Sequence, residues 1–469
     1  MHTPPAPTQP LDSDRSARRW PGLCPLFWEC AAALVILAGL CWGLGQLDPP
    51  TGPINEQGMP ATAAASSASN AGSAPASVIS TSQRVRQLAR LGVRPWHEQG
   101  RLGAGVKVAV LDSGFQGYRD HLGHALPSHV AVRSFRADGR LEARDSQHGI
   151  LCGEVIHAIA PQADLLLANW EPDQPDSFLR AVRWAAEQGA RIISCSMIMP
   201  TWSDCEGGGP VHAQLQQILA EADVLMVAAA GNTAQRHWSG PCNRRGRDHY
   251  HAWAEDCIDN PLRPFGGERV SVELIWSPPQ SRYELEVCDL DSGRVVVTGQ
   301  APPHHGNAAC LAARFLPVDG ERYSVRVRHR DGPSGRFHLV VLGGNLTYRS
   351  ERSSLAFPGD GAAVVTVGAV DAELERMPYS SCGPNSKAPK PDLVAVVPFS
   401  SNWRNRSFGG TSAAAPQVAG LAAVWWSAHP TARAAQVRRM LRQAALDLGP
   451  EGHDHETGYG LAQLPPLND

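Results

Sequence analysis

The sequence predicts an α/β fold: a mostly parallel, doubly wound sheet with an inserted β-sandwich-like module, preceded by an N-terminal transmembrane helix. Three observations carry this expectation. From residue 105 short apolar runs alternate with stretches of helical spacing, between 236 and 345 that rhythm yields to polar–apolar alternation, and one long apolar run precedes both. Strands that are apolar on both faces and alternate with helices imply a parallel sheet covered on both sides.

Residues 1–22 include Arg15, Arg18 and Arg19 and lead into an apolar run, Cys24 to Leu47, long enough to cross a bilayer despite Glu29 near its start. Trp28 and Trp42 fall where the interfaces would be, and no Lys or Arg follows the run until Arg84. This asymmetry puts residues 1–22 in the cytoplasm and everything after the span outside. The span is drawn at 23–47 as an uncleaved anchor in the cell membrane. A cleaved secretion signal is the alternative, with Ala-rich candidate sites beginning around Ala61. Residues 48–82 are rich in Pro, Ala, Ser and Gly with almost nothing to bury, and read as a flexible linker.

The main domain begins near Gln83. In its first part, 83–235, "GVKVAVLD", "ADLLLANW", "ARIISCSM" and "VLMVAAAGN" read as strands, with "HGILCGEVIHAIA", "DSFLRAVRWAAEQG" and "HAQLQQILAEAD" as helices. The inserted module, 236–345, contains the alternating runs "RVSVELIW", "RYELEVCDL", "RVVVTG", "RYSVRVRHR" and "RFHLVVLGG". The second part of the main domain, 346–469, resumes with "AAVVTVGAVD" and "DLVAVV" and ends with two helices, one opening on "GGTSAAAPQVAG" and one amphipathic from Thr431.

A formal net charge of −3 over 469 residues gives no electrostatic basis for binding nucleic acid. Eight cysteines follow the anchor (152, 195, 205, 242, 257, 288, 310 and 382), an even number that suits an oxidising compartment. Cys152 and Cys195 lie in apolar segments and read as buried thiols, while proximity alone suggests pairs Cys242–Cys257 and Cys288–Cys310.

Four polar residues stand where strand ends and helix starts place chemistry. Asp112 ends "VKVAVLD", His148 opens "HGILCGEVIHAI", Asn232 ends "VLMVAAAGN", and Ser412 opens the helix after Gly409-Gly410-Thr411. Glycines allow a sharp turn there, and Pro416 is expected in the first helical turn, where a missing N–H is tolerated. A carboxylate that orients an imidazole, which in turn deprotonates a hydroxyl, makes serine a nucleophile near neutral pH. The asparagine amide suits an oxyanion. Taken singly, each residue has an ordinary explanation as a turn former or a structural side chain.

Together, "VKVAVLDSGF", "HGILCGEVIHAIAPQA", "VAAAGN" and "GGTSAAAPQVAG", in the order Asp, His, Asn, Ser, resemble the subtilisin-like serine peptidases, as do "VVTVGAV" and "KPDLVAV". The resemblance covers roughly 95–235 and 346–465. It implies Ser412 as nucleophile, His148 as general base and then acid, and Asp112 as the group holding the imidazole. Asn232 and the backbone N–H of Ser412 would form the oxyanion hole. Substrate contacts are expected from Ser196, Met197, Ile198, Ala229 and Gly231. Proteins or peptides are the implied substrates and no cofactor is required; calcium is common in the family, but no acidic loop here commits to a site.

The sequence departs from the family in two places. The substrate-side strand usually carries a Ser-x-Gly turn, whereas "SCSMIMPTW" has no glycine, so Met197, Ile198 and Met199 either line an apolar pocket or belong to the core. In place of a folded propeptide there is only the linker. His237, Cys242, His249, His251, Cys257, His304 and His305 invite a zinc reading, but their spacing fits no standard template. The rivals to a peptidase are an inactive peptidase-fold scaffold acting through the β-rich insert, and a triad esterase.

Overall fold

The computed structural model describes residues 76–467 apart from 144–145, 246–247, 303–308 and 386. The expected cytoplasmic segment and anchor lie outside these residues, as does the linker up to residue 75. Among the described residues no helix is long and apolar enough to cross a membrane. Helix α1, Ala76–Arg90, begins inside the stretch expected to be linker. Its C-terminal half has something to hold: Leu88 packs against the main core, and buried Arg84 donates to Glu154 Oε1 at 2.7 Å and to the Ser400 carbonyl. Glu154 in turn accepts from Ser401 Oγ and from the backbone of Asn402, so this buried carboxylate is paired on every side.

After α2 (Val93–Glu98) come β1 (Lys107–Leu111), β2 (Val130–Phe135), α3 (His148–Ile159) and β3 (Asp164–Trp170). Then follow α4 (Pro175–Glu187), β4 (Ala190–Cys195), α5 (Pro210–Ala222) and β5 (Leu225–Ala229).

A run of antiparallel strands comes next: β6 (His237–Pro241), β7 (Arg244–Arg245), β8 (Tyr250–His251), β9 (Asn260–Pro264), β10 (Val270–Ser277) and β11 (Arg282–Asp289). It continues with β12 (Val295–Thr298), β13 (Cys310–Phe315), β14 (Tyr323–Asp331), β15 (Arg336–Leu342) and β16 (Gly344–Leu346). The chain closes with β17 (Val364–Val370), β18 (Leu393–Val396), α6 (Thr411–Ala428) and α7 (Ala434–Ala444).

The principal sheet has the order β18-β17-β5-β4-β1-β3-β2, and every neighbouring pair is parallel. Alternate residues of one strand feed two cores. Val108 and Val110 pack with α3 and α6, while Ala109 and Leu111 pack with α4 and α5, which is why the strand is apolar throughout. From β1 the chain builds β3 on one side and β4 on the other, so the carboxyl end of β1 lies at a topological switch, where open α/β sheets bind ligands. Asp112 is the next residue.

The strands from β6 to β16 form two antiparallel sheets, one ordered β13-β10-β15-β6 and one built on β12-β11-β14-β8-β7, with β9 joining at β14. Val272 and Leu274 of β10 face Leu285 and Val287 of β11 and Val325 of β14 in a shared core. The opposite face of β10 and its neighbours is also covered. Arg314 on β13 makes a bidentate pair with Asp173 at 2.6 and 2.7 Å, and His338 on β15 lies 3.4 Å from Glu206. Ile275 and Cys310 pack on Cys205.

The cysteine pairing expected from proximity is overturned. None of the eight described cysteines forms a disulfide. Cys288 and Cys310 lie in different sheets, and Cys257 donates to the Asp259 carbonyl at 3.1 Å instead of reaching Cys242.

Candidate active site

Three elements meet beyond the end of β1. Asp112 is fully buried, and its Oδ1 accepts from the backbone N–H groups of Ser113 and Gly114 at 2.7 and 3.0 Å, which fixes the carboxylate. Its Oδ2 accepts from His148 Nδ1 at 2.7 Å. The two side chains come this close because the next residue of α3 is glycine: a Cβ on Gly149 would lie 2.5 Å from the Phe115 ring and 2.9 Å from Asp112 Cβ. The imidazole stands edge-on to Phe408, with centroids 5.4 Å apart.

Because Nδ1 carries the proton donated to a carboxylate, Nε2 of a neutral His148 is left with its lone pair. It has no hydrogen-bond partner among the described residues, and the side chain is 23% exposed. Burial is the largest single influence and lowers the imidazole's pKa, but the charge and hydrogen bond of Asp112, together with Cys152, leave it well above the ordinary 6.5.

Ser412 is the second residue of α6, whose N-cap Gly410 has φ 75°, a conformation open to glycine. Its hydroxyl is turned to the Ser196 carbonyl at 3.3 Å, and no hydrogen bond joins it to His148 among the described residues. Pro416 falls beyond the first turn, contrary to expectation, four residues after Ser412. Having no N–H, it cannot satisfy the Ser412 carbonyl. Two side chains do so instead: Ser196 Oγ donates to that carbonyl at 3.0 Å and Cys152 Sγ approaches it at 3.7 Å. The same sulfur lies 3.8 Å from Asp112 Oδ2 and 4.0 Å from His148 Nδ1, so Cys152 touches all three parts of the cluster.

Asn232 lies three residues past β5. Its Oδ1 accepts from both the backbone N–H and the hydroxyl of Thr411, at 3.0 and 3.1 Å. That leaves the Nδ2 hydrogens unpartnered among the described residues, next to the start of α6.

Of the residues expected to touch substrate, Ser196, Ile198 and Gly231 border this cluster. Ala229 is buried within the main core and Met197 turns its side chain into the core on the far side of the sheet, as does Met199. Two contributors escape a reading by residue type alone: Thr411, which orients the amide, and Cys152. The spacing of Cys152, four residues after His148 on a helix, is the signal that puts both on one face.

Among the described residues, Asp112, His148 and Cys152 form a grouping with ligand atoms within 4.8 Å of one another. They are already engaged with each other, and the buried thiol's pKa is raised by burial, which disfavours the thiolate a metal would need. The residues behind the zinc reading do not converge. His237 bonds to Ser350 and His338, His251 Nδ1 accepts from Asn243, and Cys257 points to Asp259; His304 and His305 lie outside the described residues.

Residues 103–254 and 320–460 match the model of the subtilase family. Subtilisin DY of Bacillus licheniformis is 35% identical over 111 residues, 24% of this chain and 40% of its own length. Fervidolysin of Fervidobacterium pennivorans is 41% identical over 68 residues, 14% of this chain and 10% of its own. The chain thus spans less than half the length of these relatives. The solved CspB protease of Clostridium perfringens shares the fold, with a TM-score of 0.56 at 15% identity over 79% of this chain and 95% of that one. With more than half of its residues inside the family model, the chain belongs to the subtilase family.

Proposed function

We propose that the protein is a membrane-anchored, extracytoplasmic serine endopeptidase that cleaves peptide bonds through an acyl-enzyme on Ser412. The observation that supports this reading is the 2.7 Å bond from His148 to buried Asp112, which leaves Nε2 unpartnered beside the helix start that carries Ser412. Rotation about the Ser412 Cα–Cβ bond turns the hydroxyl from the Ser196 carbonyl toward the imidazole; such bonds are often unformed until substrate is present.

Ser412 Oγ then attacks the scissile carbonyl carbon as its proton passes to His148 Nε2. Asp112 stabilises the imidazolium without taking the proton. The oxyanion that forms is met by Asn232 Nδ2 and the Ser412 N–H at the positive end of α6. Collapse expels the amine, protonated by His148, and a water deprotonated by the same ring releases the acid and restores the serine.

The anchor, residues 23–47, rests on the apolar run and its arginine flank. One preparation tests both parts of the reading. Full-length chain should stay in the membrane pellet after alkaline carbonate washing and hydrolyse an unstructured peptide there. Ser412→Ala should lower turnover at least about a thousandfold while leaving the chain in the pellet. Activity unchanged in that variant, or a chain wholly in the supernatant, would contradict the corresponding part.

A further inference from the structure

We infer that Ile198 closes the slot beside Ser412, so that the substrate residue supplying the scissile carbonyl must be small: glycine, alanine or serine. This rests on the peptidase reading above and adds the substrate class. Two chain segments flank the start of α6: Ser196 to Ile198, which continues β4 and whose Ser196 carbonyl lies 3.3 Å from Ser412 Oγ, and Ala229 to Gly231, which leads to Asn232 and whose Gly231 N–H donates to Thr411 Oγ1 at 3.2 Å, so an acyl carbon held by Ser412 Oγ and Asn232 Nδ2 would sit between them. These are adjacent parallel strands, but their pairing ends at Cys195 and Ala228.

Past that point the second segment bonds away from the first. Ala230 N–H donates to the Val367 carbonyl at 2.9 Å, and the Gly231 carbonyl accepts from Ser381 at 2.9 Å. The two segments therefore part beside Ser412. In the inferred binding mode, a substituent on the neighbouring carbon of the substrate points between them.

Ile198 stands where the segments part. A Cβ built on Gly231 would meet Ile198 Cγ2 at 3.4 Å and Cδ1 at 3.5 Å, with Ser381 Oγ behind at 3.1 Å. The strand alternation explains the placement: Met197 and Met199 are 6% and 4% exposed and point into the core, so Ile198 takes the opposite, partly exposed face that Ser196 shares. Branching at Cβ restricts the side chain's rotation, so it does not swing aside easily. Glycine at 231, with φ 101°, keeps the facing wall low. A residue with a hydrogen or methyl side chain fits beside Ile198, whereas a leucine or phenylalanine must displace it.

The test uses four peptide anilides identical except for Gly, Ala, Leu or Phe at the acyl position, with Ser412 occupancy by an ethoxy fluorophosphonate measured separately on each protein. The wild type should favour Ala over Phe in kcat/KM by about 100-fold, the discrimination a steric pocket can supply. Ile198→Gly and Ile198→Ala should each bring that ratio below about 10 by raising turnover of the Leu and Phe substrates. A wild type labelled at Ser412 that cleaves Phe as well as Ala overturns the inference and leaves the peptidase reading standing. Labelled variants that keep the wild-type ratio do the same. Absence of Ser412 labelling in wild type removes both. If the variants misfold, the wild-type series alone decides.

Discussion

At the level of single residues the proposed chemistry turns on which nitrogen of His148 holds a proton. The bond to Asp112 places it on Nδ1, and the ring serves as a base only while Nε2 is unprotonated. Burial acts to lower the pKa, while Asp112 and Cys152 together raise it by more, so protonated His148 persists above its ordinary pKa. Activity should therefore fall on the acid side with a midpoint above pH 6.5, earlier than for an unperturbed histidine. A kcat/KM profile with its acid midpoint at or below that value would contradict the assignment.

The positions of the four polar groups were legible in the sequence because Asp112 directly follows a strand, Asn232 lies a few residues past one, and His148 and Ser412 lie at helix starts, places that apolar periodicity locates well. What they lean on was not. Thr411 holding the Asn232 amide, and Ser196 bonding the carbonyl that Pro416 leaves free, are contacts between residues roughly 180 and 216 apart in the chain.

Among the elements, the end of the sheet farthest from β2 depends on a buried charge cluster. Asp392, just before β18, has one oxygen on Lys390 at 2.7 Å and the other on Arg438 and Arg442 of α7 at 3.0 and 2.5 Å. Both Asp392 and Lys390 are fully buried, and Lys390 also donates to Thr366 Oγ1 at 2.9 Å. Burial alone would raise the Asp392 pKa, but Lys390 and the two arginines hold it far below the usual carboxylate range. Burial brings Lys390 down to about 8 even with that partner.

Removing the carboxylate leaves an ammonium buried without its counter-charge. Asp392→Asn should cost about 3–5 kcal/mol near neutral pH in urea unfolding. The folded-state pKa is depressed, so the wild type holds this stabilisation above the unfolded carboxyl's pKa and loses it as pH falls further. The deficit of the variant should shrink below about pH 4. A deficit under 1 kcal/mol at neutral pH, or one that grows in acid, would contradict this account.

Two elements escape a reading of pattern. β2 is an edge strand whose middle residues are exposed, so it lacks the continuous apolar run that marks β1, β3, β4 and β5. β13, "CLAARF", carries an arginine that looks solvent-facing but is held by Asp173.

Across the whole molecule, the two antiparallel sheets are not an appendage with one bare face. The face of β10, β13 and β15 opposite their shared core meets the main domain through Arg314 with Asp173, His338 with Glu206, and Ile275 and Cys310 with Cys205. Alternation revealed these strands in the sequence, since every second residue is apolar. Their docking was hidden, because Arg314, His338 and Cys310 are polar, charged or small and read as surface, and Ile275 alone does not mark a second buried face. Cys205 and Glu206 sit a few residues beyond Ile198, so the docked sheet buttresses the loop that continues from β4.

The central claim is that Asp112, His148 and Ser412 act as one nucleophilic unit. The most direct measurement is covalent labelling of the full chain with a fluorophosphonate, mapped by peptide mass spectrometry, in the wild type, Ser412→Ala and His148→Ala. The account predicts one modified residue, Ser412, in the wild type, no label in Ser412→Ala, and labelling slowed at least about a hundredfold in His148→Ala. Label on another residue, or equal rates in wild type and His148→Ala, would contradict it.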